Sequence, residues 1–185
     1  MGTLSYIKNF IKDRDVAAIT PSSSYLVKRV CRWIDFDTPR TIVEYGPGDG
    51  VFSRYIARNM HPDSSLVLIE SNDGFVADLQ SFQMQNEQVT VVHDRAENVE
   101  TIIEGHDLAP VDYIISGIPF SFLDEPIKTE LIQSTFDALH DDGKFLVYQN
   151  YNHMEQPLRD RFPRVEKAYV LFNIPPMFAY EARKR

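Results

Sequence analysis

The sequence predicts an open, largely parallel α/β sheet with helices on both faces and an antiparallel strand near its C-terminus. Three observations carry this. From Thr41 onward, short aliphatic runs alternate with segments of helical periodicity. The first run, Thr41–Tyr45, stops in a turn with glycines at 46, 48 and 50, then restarts as a helix at Val51. Near the end, two β-like segments, Arg164–Asn173 and Met177–Arg183, follow one another with Pro175-Pro176 between them and no helix.

The elements follow in order. Residues Leu4 to Asp13 place Leu4, Ile7, Phe10 and Ile11 on one face, with Lys8 and Lys12 beside it, which predicts a short basic amphipathic helix. Pro21 interrupts the chain, the serines after it are helix-capping residues, and Leu26, Val30 and Trp33/Ile34 mark the inner face of a helix from Tyr25 to Ile34. Strands are then expected at Thr41–Tyr45, Ser65–Glu70, Val89–His93, Val111–Ser116 and Lys144–Gln149. Helices are expected at Val51–Met60, Asn72–Phe82, Ala96–Glu104, Glu125–Leu139 and Met154–Phe162. With the two late segments the strands number seven. We expect one domain over residues 1–185, with 1–40 as N-terminal helices and 41–185 as the sheet core.

Composition narrows the class. A hydrophobic content of 43% and a charged content of 25% suit a water-soluble core. No apolar run approaches the ~20 residues that span a bilayer, and the N-terminus lacks a secretory h-region. The lone Cys31 can form neither an internal disulfide nor a metal cage, so no metal site and a reducing, cytoplasmic setting are expected. A net charge of −8 argues against nucleic acid as a partner. Residues 1–40 nevertheless hold seven basic and four acidic side chains, three net positive charges, leaving eleven net negative ones for the rest. Such a positive end is read either as a solvated helix face or as a contact with an anionic membrane through residues 1–14, a peripheral association.

The turn after the first strand is a ligand-binding device. Glycines allow a sharp bend, and the amides of the following helix face whatever lies against it. Glu44, two residues before Gly46, would repel a pyrophosphate and tolerate a cation. Ligands of open α/β sheets sit at the carboxyl ends of the strands, so those ends hold the other candidates. The second strand ends in Glu70, followed by Ser71; an acid there can accept both hydroxyls of a ribose. The third ends at His93-Asp94-Arg95-Ala96, where Asp94 either accepts from an adenine amino group or caps the next helix. The fourth ends in Ser116-Gly117-Ile118-Pro119-Phe120.

The pattern Glu44-x-Gly46-x-Gly48-x-Gly50 resembles motif I of the class I methyltransferases that use S-adenosyl-L-methionine, a ligand with a sulfonium and an ammonium and no phosphate. The seven strands with an antiparallel ending look like the same family's Rossmann-like sheet. The resemblance implies cofactor contacts at Glu44, Gly46, Pro47, Gly48 and Gly50, at Glu70 and Ser71, at Asp94, Arg95 and Ala96, and at Ser116 and Gly117. Asp49 departs from the pattern, since Thr is common there, and its role stays open.

The fourth strand's ending is related to the Asn/Asp-x-x-Pro-aromatic motif of rRNA adenine dimethylases, with Ser-Gly in place of its start. The Ser-Gly-Ile-Pro turn looks like bacterial phospholipid N-methyltransferases. So do Ala18-Ile19-Thr20-Pro21-Ser22-Ser23 and Phe172-Asn173-Ile174-Pro175-Pro176-Met177-Phe178. The resemblance implies methyl transfer to the amine of a phosphatidylethanolamine-type phospholipid or other small amine. Ser116, Pro119 and Phe120 would then stand at the reacting centre. Tyr25, Phe120, Phe122, Tyr148 and Tyr151 would form an aromatic wall for a methylated ammonium, or else be ordinary rim and core aromatics. Proton acceptors include a tyrosine, His153, the substrate phosphate and water. Two other readings use the same residues: an RNA adenine N6-methyltransferase, against which the acidity stands, and a non-catalytic interaction domain, against which the intact glycine turn stands. Oligomeric state is not legible.

Overall fold

The structure is a computed structural model that describes residues 22–108 and 110–185. The predicted helix at 4–13, the membrane contact at 1–14 and the start of the serine loop lie outside the described residues.

The chain runs α1 (Ser24–Cys31), β1 (Thr41–Tyr45), α2 (Val51–Asn59), β2 (Ser65–Glu70), α3 (Asp73–Gln83) and β3 (Val89–His93). It continues with α4 (Val99–Gly105), β4 (Val111–Ser116), α5 (Glu125–Ala138), β5 (Leu139–Gln149), α6 (Glu155–Arg161), β6 (Arg164–Val170) and β7 (Met177–Arg183). The seven strands form one sheet in the order β3-β2-β1-β4-β5-β7-β6. The first five are parallel, while β7 lies antiparallel to both β5 and β6. This is the Rossmann-like methyltransferase sheet that the sequence predicts. The chain turns outward in opposite directions from β1 and β4, so a crevice opens between their carboxyl ends, where Tyr45 pairs with Ser116.

Strand alternation divides the core between two faces. Val43, Tyr45, Val67, Ile69, Ile114, Phe145 and Val147 pack on the side of α4, α5 and α6. Ile42, Leu66, Leu68, Tyr113, Ile115 and Leu146 pack on the side of α1, α2 and α3. Glu44 shares the parity of Ile42, so its carboxyl faces the α2 side, where an aliphatic residue would be expected.

Element ends differ from expectation in four places, one being the strand predicted over Arg164–Asn173, which pairs only as far as Val170. The helix predicted to reach Ile34 ends as α-helix at Cys31, and tighter bonds continue it, from the amides of Trp33 to Val30 and Ile34 to Cys31. The helix expected from Ala96 begins with a 3₁₀ turn, Ala96–Asn98. Strand β5 pairs from Leu139, not Lys144, because Leu139 already meets Val111; the His140-Asp141-Asp142-Gly143 stretch then bulges before the register resumes at Tyr113 and Lys144.

Candidate active site at the carboxyl edge of the sheet

Gly46, Gly48 and Gly50 have φ of 59°, 56° and 72°, the left-handed region that side chains avoid. The turn therefore needs glycine at these positions for backbone reasons alone. It is tied down from two sides. The Gly46 amide donates to the Ile69 carbonyl (2.9 Å), and the Gly48 amide donates to Glu70 Oε2 (3.1 Å). Asp49 now has a role: its Oδ1 faces the Val51 amide at 3.4 Å, at the start of α2.

Glu70 serves as the hub at the end of β2. Besides Gly48, the amides of Ser71 and Asn72 each donate to its Oε1 at 2.9 Å. A carboxylate has about four lone-pair sites, so three amides leave capacity for a further donor. The Asp94 amide donates to the Glu70 carbonyl (3.1 Å), which draws the ends of β2 and β3 together. The Asp94 carboxylate accepts from the Arg95 amide (2.7 Å) and from Asn98 Nδ2 (2.7 Å). The capping role that the sequence offered for Asp94 is not what the structure shows: the N-caps here are Arg95 and Asn98, and Asp94 instead binds the Arg95 amide and the Asn98 side chain through Oδ1, leaving Oδ2 without a partner among the described residues. Arg95 is paired with Glu97, and Ala96 is buried.

Glu44 is almost fully buried, and Ser53 Oγ of α2 donates to its Oε2 at 2.6 Å. Burial pushes its pKa up from 4.5 to about 8; the Ser53 bond opposes that shift, and the nearby carboxylates Glu70 and Asp49 add to it. Among the described residues no basic side chain pairs with Glu44 or Glu70; the first meets a hydroxyl and the second backbone amides. Acidic groups gathered at a glycine cradle without a cation of their own fit a ligand that brings positive charge, as a sulfonium and an ammonium would.

The turn after β4 is closed by its neighbours on β5. The Ile118 amide donates to Ser116 Oγ (3.3 Å), and Ser116 is fully buried. Gln149 brackets the turn: its Nε2 donates to the Ile118 carbonyl (2.7 Å) and its Oε1 accepts from the Phe120 amide (3.2 Å). Pro119, which lacks an amide, sits between these two bonds. Gly117 lies directly under the Tyr148 ring, which is stacked on Phe52 with centroids 4.5 Å apart and planes 9° apart. Burial raises the pKa of the Tyr148 phenol.

The structure thus brings the glycine turn, Glu70, Asp94 and the Ser116–Phe120 turn to one edge. It does not assemble the five aromatics into one wall. Phe120 is completely buried, edge-on to Phe145 with centroids 6.4 Å apart, because its backbone is held inward by Gln149. Its expected place at the reacting centre and in the wall is corrected: its side chain belongs to the core beneath the turn. Tyr148 serves as packing over Gly117 as well as rim. Phe122, Tyr151 and Tyr25 are exposed. His153, four residues past the end of β5, has its pKa lowered from 6.5 by burial and then by Lys128, and both its ring nitrogens are buried.

Sequence reasoning missed Ser53, Phe52 and Gln149. Gln149 left one signal, a polar residue closing the aliphatic run of β5. Ser53 left none, because its partner is nine positions away and is chosen by how α2 packs on β1.

No family model matches the chain. A curated relative, the ornithine lipid N-methyltransferase of Singulisphaera acidiphila, is 25% identical over 175 residues, covering 91% of this chain and 88% of the relative. Among solved structures, the precorrin-6y C5,15-methyltransferase of Geobacter metallireducens superposes with a TM-score of 0.71 at 16% identity, over 91% of this chain and 93% of that one. The 1,6-didemethyltoxoflavin-N1-methyltransferase of Burkholderia thailandensis, solved with S-adenosylhomocysteine, superposes with a TM-score of 0.72 at 12% identity, over 98% and 86%. A putative rRNA methylase of Clostridium thermocellum has a TM-score of 0.64 at 13% identity, over 88% and 97%. The structural likenesses speak to the fold; the similarity to the curated relative covers 91% of this chain. Together these likenesses show the fold of class I methyltransferases, and the acid-lined cradle at the carboxyl edge of the sheet suits a cationic ligand.

Proposed function

We propose that the enzyme methylates the amine of a lipid headgroup at a membrane surface, with phosphatidylethanolamine-type and amino-acid-containing lipids as the candidate acceptors. The observation that carries this reading is the similarity, over 91% of the chain, to a curated relative that is an ornithine lipid N-methyltransferase.

The cofactor supplies a methyl group on a sulfonium, a carbon already open to in-line attack. The protein's own task is placement. In this reading the left-handed glycines let the cofactor lie against the β1–α2 turn. The remaining acceptor capacity of Glu70 meets the ribose hydroxyls, and the free oxygen of Asp94 meets the adenine amino group. The Ser116–Phe120 turn, held by Gln149 and covered at Gly117 by the Tyr148 ring, forms the wall against which the nitrogen is placed. A tyrosine, the substrate phosphate or water takes the ammonium proton before attack. Phe122, Tyr151 and Tyr25 offer exposed aromatic faces to the methylated product.

Labelled-methyl transfer tests the acceptor. The expected result is label in phosphatidylethanolamine or ornithine lipid presented in mixed micelles. Label in RNA, and none in either lipid, overturns the reading.

A second expectation concerns Glu70. Glu70→Ala removes a charge-assisted acceptor and also frees the amides of Gly48, Ser71 and Asn72. Cofactor affinity should fall by about 1.5–3 kcal/mol, the range for a hydrogen bond to a charged group, as read by calorimetry. Unchanged affinity would remove Glu70 from the site.

A further inference from the structure

The turn between β6 and β7 has an inverted surface pattern. No charged residue occurs between Lys167 and Glu181. Leu171, Phe172 and Ile174 are 64%, 73% and 77% exposed, and Pro175 and Pro176 are exposed beside them. The one polar residue of the turn, Asn173, points inward and is buried. Its Oδ1 accepts from the Ser23 amide (2.9 Å), and its Nδ2 donates to the Pro175 carbonyl (2.8 Å). Water-facing turns ordinarily show the opposite arrangement, and contiguous exposed apolar side chains mark an interaction surface. Asn173 holds this one in place against the cap of α1.

The patch continues onto α1. Tyr25 is exposed, and its ring lies 5.3 Å from that of Phe172. One turn on, the surface becomes basic. Neither α1 nor α2 contains an acidic residue, and between them they carry Lys28, Arg29, Arg54 and Arg58. Lys28, Arg54 and Arg58 share a hollow of about 350 Å³ with the hydroxyl residues Ser22 and Ser24. Among the described residues, none of these three cations forms an ion pair with a carboxylate; Arg54 reaches the Asp49 carbonyl and lies over the Phe82 ring. In a chain of net charge −8, cations without a carboxylate partner among the described residues, grouped beside exposed apolar side chains, suit a surface that is apolar within and anionic at its rim.

The patch also lies on the functional edge. Gln149, at the carboxyl end of β5, pairs with Phe178 at the start of β7, so the β6–β7 turn leaves the sheet on the side of the glycine turn. We propose that this turn and the basic face of α1 and α2 form one docking surface for an anionic phospholipid bilayer. Leu171, Phe172, Ile174 and Tyr25 enter the interface, and Lys28, Arg54 and Arg58 meet lipid phosphates. The proposal rests on the lipid reading above, and its test is made separable from that reading.

The test uses the full chain and vesicles of phosphatidylglycerol and phosphatidylcholine, which offer no amine to methylate. Co-sedimentation should show binding that weakens with added salt and with less phosphatidylglycerol. Phe172→Ser/Ile174→Ser should bind about tenfold more weakly, since interfacial binding scales with the apolar area inserted. Lys28→Glu/Arg58→Glu should lose the dependence on phosphatidylglycerol. Cofactor affinity by calorimetry and methyl transfer to micellar lipid should stay at wild-type values in both variants, showing that the fold and the site are intact. Wild-type vesicle binding by both variants overturns the docking surface even if lipid methylation is confirmed. Vesicle binding lost in the variants upholds it even if the acceptor proves not to be a lipid. A Phe172→Ser/Ile174→Ser protein that changes from dimer to monomer, with vesicle binding unaltered, would assign the patch to a second copy of this chain and overturn the proposal.

Discussion

Between about pH 5 and pH 8, the cofactor-free wild type should lose about 3–4 kcal/mol of stability relative to a Glu44→Gln variant, at about 1.4 kcal/mol per pH unit. The cause is the buried carboxyl, whose pKa stands at about 8 against 4.5 for an ordinary one. Below pH 4.5 both folded and unfolded chains hold the proton. Above it the unfolded chain releases the proton while the folded chain keeps it, so rising pH favours unfolding until the folded carboxyl also ionises near pH 8. Glutamine cannot titrate and can still accept from Ser53. Denaturant unfolding of both proteins across this window gives the difference directly, with other titrating groups common to both. Saturating S-adenosylmethionine should flatten the difference, because a cationic ligand favours the ionised carboxylate. Parallel stability curves for the two proteins would refute the assignment of a protonated, cation-seeking Glu44.

Gly117→Ala should lower methyl transfer about 100-fold, the loss that a displacement near 1 Å brings to a positioned reaction. A Cβ built on Gly117 would stand 2.2 Å from Tyr148 Oη and 2.5 Å from its Cζ, closer than non-bonded atoms approach. The ring cannot step aside cheaply, being stacked on Phe52. Either the turn after β4 or the ring must therefore move. The variant should also lose about 1–3 kcal/mol of stability, the usual cost of overpacking. Cofactor affinity should change less than the turnover rate, because Tyr148 packs over the β4 turn and the glycine turn is anchored independently by Glu70 and Ile69. Shortening Tyr148 to Leu in the same chain should restore part of the rate. Full activity in the single variant would show that the Tyr148–Gly117 contact does not shape the site.

The residues differ in how openly they declare themselves. The glycine turn was legible because its requirement is local: three alternate glycines after an aliphatic run impose the backbone shape wherever they occur. Glu70 and Asp94 were legible as strand-end acids, since that depends on neighbours a few residues away; the cap reading of Asp94 failed because the chain starts its helical turn one residue later, at Arg95. Phe120 was misread. Its aromatic ring after proline matched a known motif, but whether it points into the crevice or the core is decided by Gln149, twenty-nine residues later. The Asn173 segment was recognisable by resemblance, yet its bond to Ser23 spans 150 positions and leaves no trace in local pattern.

The amino-acid order alone determined the alternation of strands and helices, the cation-tolerant bend after β1 and the acids that follow it, because periodicity, glycine geometry and charge act over a few residues. Only the tertiary structure decided which strands are neighbours, where the crevice opens between β1 and β4, that Tyr148 covers Gly117, and that the β6–β7 turn faces outward with its apolar side chains. Those outcomes depend on packing between segments far apart in the chain, where each contact is selected by the volume and hydrogen-bonding capacity that other elements leave free.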